Sequence, residues 1–255
     1  MNYHINFGIL VATFGESIPL PLGILFIFIT VAAAYLLGSI NSAIIISKVL
    51  YHDDIRRHGS GNGGTTNMLR TFGKKAALLT LVFDMLKTVL AISIAGFLFG
   101  FQYVTGAVSV SELCYIAGLA AVLGHIFPIY HKGKGGKGVL CTATMGLMLT
   151  PLVFLFILVI FVVLVAWTKY VSLGSVVGGC FYPITLHAFM KVLYPTAALP
   201  GLISASTITL AILIFWCHRK NIKRIMDRTE NKISFKKKEA AAPSEDEAGE
   251  EMESE

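Results

Sequence analysis

Apolar residues in this chain neither alternate nor recur on one helical face; they run on in long blocks. A bilayer crossing takes about 20 apolar residues, with roughly 17–25 the usual range, and residues 19–38, 76–100, 112–130 and 199–216 each meet that length. Residues 171–190 also qualify, with Pro183 inside the run; the missing N–H of proline predicts a kink there. The stretch 139–166 has Thr150-Pro151 near its middle. It reads either as one long tilted helix or as a hairpin of two short ones.

The placement of basic residues separates these readings. Lys and Arg fall almost entirely in loops 48–75 and 131–137 and after residue 217, and loops rich in Lys and Arg stay cytoplasmic. With the first loop inside, the N-terminus is outside. One span over 139–166 gives six crossings and strands the basic segment outside, whereas a hairpin gives seven and brings it inside, together with Lys169 and the Ser172–Ser175 stretch. The expected fold is therefore an all-α polytopic membrane protein with about seven transmembrane helices, some short or re-entrant, and glycine-rich cytoplasmic loops. At 1.5 Å per residue, 139–150 spans only about 18 Å, so this piece is the re-entrant candidate, shielded by protein. The expected organisation is an external segment 1–18, a membrane domain 19–218, a basic cytoplasmic segment 219–238 and an acidic disordered tail 239–255.

Composition supports the membrane assignment: 55% of residues are hydrophobic and 14% charged, against roughly a quarter charged in soluble domains. The net charge of +6 hides a strong asymmetry. Eight of the 15 acidic residues lie in 239–255, so the rest of the chain has 21 basic against 7 acidic residues, or +14. Basic residues beside hydrophobic spans point to orientation and to anionic lipid or substrate, and nucleic acid is not expected. No Lys or Arg precedes Lys48, so the first span lacks the basic start of a secretory signal and is expected to remain. Cys114, Cys141, Cys180 and Cys217 form no C-x-x-C pair and lie near no His at zinc-ligand spacing. They read as packing residues, and no metal or cofactor is expected.

The candidate chemistry sits in two glycine loops, Gly59-Ser60-Gly61-Asn62-Gly63-Gly64-Thr65-Thr66-Asn67 and Gly133-Lys134-Gly135-Gly136-Lys137-Gly138. Glycine lets backbone N–H groups turn toward an oxyanion, while hydroxyls, Arg70, Lys134 and Lys137 add donors and charge. Both loops fit G-x-G-x-x-G, but membrane spans flank them where a dinucleotide site needs a βαβ unit. The Walker pattern is absent as well. Ser172 or Ser175 from a third loop, and His218 with Asn221 from the basic segment, reach the same face. A transporter of a small organic phosphate is the alternative, since broken helices and cationic loops serve one too. Asp84 and Lys87, three apart on one helix, read as a structural ion pair, and His125 as a residue that shapes a loop.

These residues resemble a known family. Gly38-Ser39-Ile40, Asp54-Ile55-Arg56 running to Gly59-Ser60-Gly61-Asn62, Thr66-Asn67 and Arg70, then Gly124-His125-Ile126-Phe127-Pro128 with Lys134-Gly135-Gly136-Lys137-Gly138-Val139, and His218-Arg219-Lys220-Asn221-Ile222-Lys223-Arg224 are similar to the membrane acyl-phosphate:glycerol-3-phosphate acyltransferases, the PlsY family. The resemblance covers about residues 19–232. It departs at Asn41, where the family usually has Pro, at Gly63-Gly64-Thr65, where it has Pro-Gly-Ala, and at Gly133, often aromatic there.

The resemblance implies a seven-helix phospholipid-biosynthesis enzyme of the bacterial plasma (inner) membrane with its active site on the cytoplasmic side. Its partners would be acyl phosphate, glycerol 3-phosphate and bilayer lipids, and it would act as a monomer or weak oligomer. Ser60, Arg70 and Ser172 or Ser175 would contact the acyl-phosphate head, with Gly59, Gly61, Asn62, Thr66 and Asn67 forming the cradle. Lys134, Gly135, Gly136, Lys137, His218 and Asn221 would hold glycerol 3-phosphate. The proton would pass to the donor's own phosphate or to His218.

Overall fold

The computed structural model describes residues 20–99, 103–104, 108–109, 112–196 and 199–233. The expected segment 1–18, the acidic tail 239–255 and the Lys236–Lys238 run lie outside the described residues.

Ten α-helices occur among the described residues: α1 (Leu20–Ser39), α2 (Ser42–Tyr51), α3 (Thr65–Thr71), α4 (Gly73–Phe99), α5 (Glu112–Ile126), α6 (Val139–Leu149), α7 (Pro151–Thr168), α8 (Val171–Leu193), α9 (Gly201–Cys217) and α10 (Arg219–Met226). A two-residue antiparallel ladder between α4 and α5 pairs Tyr103 with Ser109 and Val104 with Val108. Five candidate spans, Ile24–Tyr51, Gly73–Leu98, Glu112–His131, Pro151–Thr168 and Val171–Leu193, are long and apolar enough to cross a membrane. A sixth is α9 with α10, bent by 53° at His218. The seventh expected element, α6, has 11 residues and is too short to cross by itself.

The 139–166 stretch divides at Thr150, as the hairpin reading requires. Pro151 starts α7 at a position whose N–H has no intrahelical partner, so proline costs nothing there. Helix α8, in contrast, runs through Pro183 from Val171 to Leu193 as one continuous helix. Ser172 and Ser175 belong to the first turns of this helix and not to a loop; only Lys169 and Tyr170 separate α7 from α8.

Helix α5 is the centre of the bundle and packs against α1, α4, α6 and α9. Its approach to α1 depends on two glycines: a Cβ on Gly38 would strike the Ala121 backbone, and one on Gly124 the backbone of Tyr35 and Ser39. Small residues of this kind let membrane helices approach closely enough for van der Waals packing. Tyr35 Oη closes the same seam by donating to Phe127 O at 2.7 Å. Helix α7 lies at the other extreme, with only 6% of its apolar window buried; it packs against α8 and leaves a broad side open to lipid.

The first span breaks at Ile40, and Asn41 repairs the break. Its Oδ1 accepts from Ile44 N at 3.0 Å, capping α2, and its Nδ2 donates to Gly63 O at 3.1 Å. The residue that departs from the family pattern thus ties the helix break to the first glycine loop. Lys87 fills the gap behind it, donating to the freed Ile40 carbonyl at 2.8 Å while pairing with Asp84 at 2.8 Å. Ser42 Oγ donates to Asp84 at 3.0 Å, and His125 Nδ1 lies 3.0 Å from the Lys87 ammonium. All four residues are buried. The expected ion pair is therefore one edge of a network joining α2, α4 and α5.

Candidate active site

Two glycine loops meet over this network. Gly59 and Gly61 have φ of 55° and 70°, a left-handed backbone that favours glycine, and a Cβ on Gly59 would strike the Asn67 amide. That amide organises the first loop: Nδ2 donates to the carbonyls of Ile55, His58 and Asn62, and Oδ1 accepts from Ser60 N at 3.1 Å. Asp54 starts the loop by capping the turn Ile55–Arg57, and its bonds to the Arg56 guanidinium hold its pKa down at about 2.

The second loop is fastened to α5. Gly136 N donates to His125 O at 3.0 Å, and a Cβ on Gly136 would collide with the His125 ring. His125 thus shapes this loop, as expected from the sequence. The two loops touch where Gly63 N donates to Gly135 O at 3.4 Å.

A cavity of about 530 Å³ opens between these loops and α6–α9. It is lined by Ser60, Asn62, Thr66, Asn67 and Arg70 from the first loop and α3, by Lys137 from the second loop, by Ser172 and Ser175 from α8, and by His218 and Asn221 from the α9–α10 bend. Ten of the residues singled out from sequence thus meet in one place. Gly59, Gly61, Gly135 and Gly136 shape its rim by the contacts above. Lys134 is exposed and does not line the cavity, because the left-handed turn at Lys132-Gly133 carries it out toward solvent.

The polar groups are linked. Lys137 Nζ donates to Asn221 Oδ1 at 2.5 Å, and Asn221 Nδ2 donates to Glu230 Oε1 at 2.7 Å. Glu230 also accepts from Ser172 Oγ at 2.8 Å and Arg224 Nε at 2.7 Å. Arg70 Nη2 donates to Asn231 O at 3.1 Å, and Ile233 N to Lys169 O at 2.9 Å. Residues 227–233, part of the expected basic cytoplasmic segment 219–238, fold back as a strap over the mouth of the cavity. Glu230 was not singled out from sequence. Only its charge, opposite to its basic neighbours, marked it.

Two further geometries bear on the chemistry. Ser172 turns its hydroxyl to Glu230, while Ser175 Oγ bonds back to Val171 O at 2.8 Å. His218 Nδ1 lies 2.8 Å from Ile214 O; a carbonyl accepts, so this nitrogen carries the proton and Nε2 is the basic one in the neutral ring. Burial, followed by the nearby Arg224 and Arg70 charges and opposed by Glu230, brings the Lys137 pKa down to about 8. Burial also lowers that of Arg70, which remains a cation. Burial alone would raise the Glu230 pKa, but bonds from Asn221, Arg224 and Ser172 outweigh it and keep the group ionised. Among the described residues no group of three or more His, Cys, Asp or Glu side chains is placed to hold a metal ion.

Away from this polar end the wall is apolar, with Leu147, Phe154, Ile157, Leu158 and Phe161. Leu147 and Leu158 line the cavity and are 40% and 38% exposed, and Leu158 belongs to α7, whose broad open side faces lipid, so the apolar wall adjoins the bilayer there.

The glycerol-3-phosphate acyltransferase family model matches residues 28–228. A glycerol-3-phosphate acyltransferase of Enterococcus faecalis is 42% identical over 212 residues, covering 82% of this chain and 93% of the relative. One from Clostridioides difficile is 41% identical over 217 residues, covering 84% and 98%. Among solved structures, PlsY (YgiH), an integral membrane glycerol 3-phosphate acyltransferase, matches in its glycerol 3-phosphate form with a TM-score of 0.70 and 33% identity, over 82% of this chain and 96% of that one. The similarity extends across the helices, both glycine loops and the α9–α10 bend, and with it this chain belongs to the glycerol-3-phosphate acyltransferase family.

Proposed function

We propose that the protein transfers a fatty acyl group from acyl phosphate to glycerol 3-phosphate, giving lysophosphatidic acid and phosphate, at the cytoplasmic face of a bacterial plasma membrane. Family membership supports the reaction class and the acceptor. One observation carries the donor: a single cavity joins an anion-binding end, with Arg70 and Lys137, to an apolar wall that adjoins the bilayer. A molecule with a phosphate head directly on a fatty acyl chain fits both ends at once.

The chemistry asks little of the side chains. Acyl phosphate is a mixed anhydride with a good leaving group, so the protein has to bring two anions together, screen their repulsion and aim a hydroxyl at the carbonyl. Ser60, Arg70 and Ser172 hold the donor phosphate within the first glycine cradle. Lys137, Asn221 and His218 hold glycerol 3-phosphate, and Lys134, exposed on the rim, attracts it from solution. The acceptor oxygen bonds to the acyl carbon, the bond from that carbon to the phosphate oxygen breaks, and the hydroxyl proton leaves to the departing phosphate or to His218 Nε2.

Purified protein in lipid, given palmitoyl phosphate, should release phosphate only when glycerol 3-phosphate is present, with matching lysophosphatidic acid and none from palmitoyl-CoA. Acceptor-independent release, or turnover of the thioester instead, would overturn this reading. Uptake of glycerol 3-phosphate by vesicles containing the protein would revive the transport alternative.

A further inference from the structure

Three buried side-chain oxygens among the described residues have no hydrogen-bond partner in the protein: Thr65 Oγ1, Tyr115 Oη and Thr142 Oγ1. Thr65 and Thr142 line the cavity described above. Thr142 is 7% exposed, and a buried hydroxyl without a partner loses its hydration for no return.

The orientation of Thr142 sets it apart from other helical threonines. Thr80, Thr88, Thr144 and Thr207 each donate back to the carbonyl one turn earlier, at 2.8–3.1 Å. Thr142 uses only its backbone N–H in this way, on Gly138 O at 2.9 Å; its hydroxyl makes no such bond. Its depth is also distinctive. Thr142 lies about one helical turn, ~5 Å, beyond Gly138 and the anion-binding loop, while the next cavity-lining positions on α6 are Ala143, Thr144, Gly146 and Leu147, and the Thr144 hydroxyl is already committed to Leu140 O. It therefore stands where the polar end gives way to the apolar wall. Thr65 begins α3, which carries Arg70, and belongs to the anion end.

We infer that the Thr142 hydroxyl donates a hydrogen bond to the carbonyl oxygen of the acyl donor and stabilises the charge that forms there during transfer. The inference rests on the donor reading given above. In an acyl phosphate the carbonyl is the group between phosphate and chain, so it falls at this boundary. As the acceptor oxygen adds to the acyl carbon, the carbonyl π pair moves onto its oxygen. Thr142 Oγ–H donates to that oxyanion and keeps its own proton. The pair then returns as the phosphate oxygen departs with the bonding electrons, and the acceptor proton passes to the departing phosphate or to His218 Nε2. A neutral donor that strengthens its bond as charge develops lowers the barrier without tightening acceptor binding.

The test uses the full chain in lipid with palmitoyl phosphate and glycerol 3-phosphate. Thr142→Val keeps the shape and removes the hydroxyl; Thr142→Ser keeps the hydroxyl. Expected is a loss of about 10²-fold or more in kcat for Thr142→Val, with the KM for glycerol 3-phosphate within about twofold and most of the rate kept in Thr142→Ser. Without substrate, Thr142→Val should melt no lower than the unsubstituted protein, because it buries no unpaired hydroxyl. The infrared carbonyl stretch of a bound carbon-13-labelled palmitoyl phosphonate should move to higher frequency in Thr142→Val. Normal turnover of the unsubstituted protein, combined with an unchanged kcat in Thr142→Val or an unshifted stretch, would overturn this assignment alone. If the unsubstituted protein does not turn over palmitoyl phosphate, the donor reading falls and this inference with it.

Discussion

Lys134 and Lys137 are three residues apart in the same glycine loop, yet only Lys137 lines the cavity. A hydrogen bond to a charged group contributes about 1.5–3 kcal/mol. Lys137→Ala should therefore lower kcat/KM for glycerol 3-phosphate by roughly 10–100-fold, whereas Lys134→Ala should stay within about threefold, its rim charge being screened. Steady-state kinetics on both variants settles the comparison. The lowered pKa of Lys137, about 8, adds a pH dependence. The ammonium is present below that pH and is lost above it, so kcat/KM for the anionic acceptor should fall about tenfold per pH unit beyond pH 8. Lys137→Arg, if active, should keep its activity to higher pH. Most of the site was legible at this scale because glycine, hydroxyl and cation patterns are local. Lys134 and Lys137 looked alike because a turn at Lys132-Gly133 decides which one faces inward. Thr142 was hidden for a different reason: in an apolar run its letters match those of a threonine bonded to its own helix.

Among the elements, the break at Thr150-Pro151 was readable because proline is a local signal and charge parity required an even number of passes. The break at Ile40-Asn41 was not, since no proline or charge marks it. What holds it is tertiary, with Lys87 and Asp84 on α4 and His125 on α5 gathered behind the open carbonyl. Removing one member of a buried ion pair costs about 3–5 kcal/mol, because the other charge is left without a partner. Lys87→Met should therefore melt well below the parent protein in detergent. The double variant Asp84→Asn with Lys87→Met should recover part of the loss, and no recovery would show that the pair is not the source of the effect. Because His125 also holds Gly136, Lys87→Met should raise the KM for glycerol 3-phosphate in whatever protein remains folded.

For the molecule as a whole, the chain's two ends of chemistry are far apart in sequence and close in space. Ser172 and Glu230 are 58 residues apart and bonded at 2.8 Å. The strap 227–233 was missed for this reason: its sequence reads as part of a basic cytoplasmic segment, and only the closed fold shows its own Glu230 buried against Ser172 and Asn221. Glu230→Ala would leave the Ser172, Asn221 and Arg224 donors without their shared acceptor. At about 1.5–3 kcal/mol for each bond to a charged group, partly offset by rearrangement, kcat/KM should fall by at least about tenfold. The melting temperature should fall too, with Glu230→Gln in between. A drop in melting temperature with unchanged kinetics would confine the strap to a structural role.

The shared boundary at Leu147 and Leu158 makes the enzyme answer to two kinds of concentration. Under the proposed reaction, the soluble partner would be counted per volume of water, but a donor arriving sideways would be counted per area of membrane. Diluting the bilayer with inert lipid would starve the site while the amount of donor in the tube stayed constant. Lysophosphatidic acid would leave into the same two-dimensional pool and only phosphate into water, so flux through the proposed reaction would follow membrane composition as directly as metabolite supply.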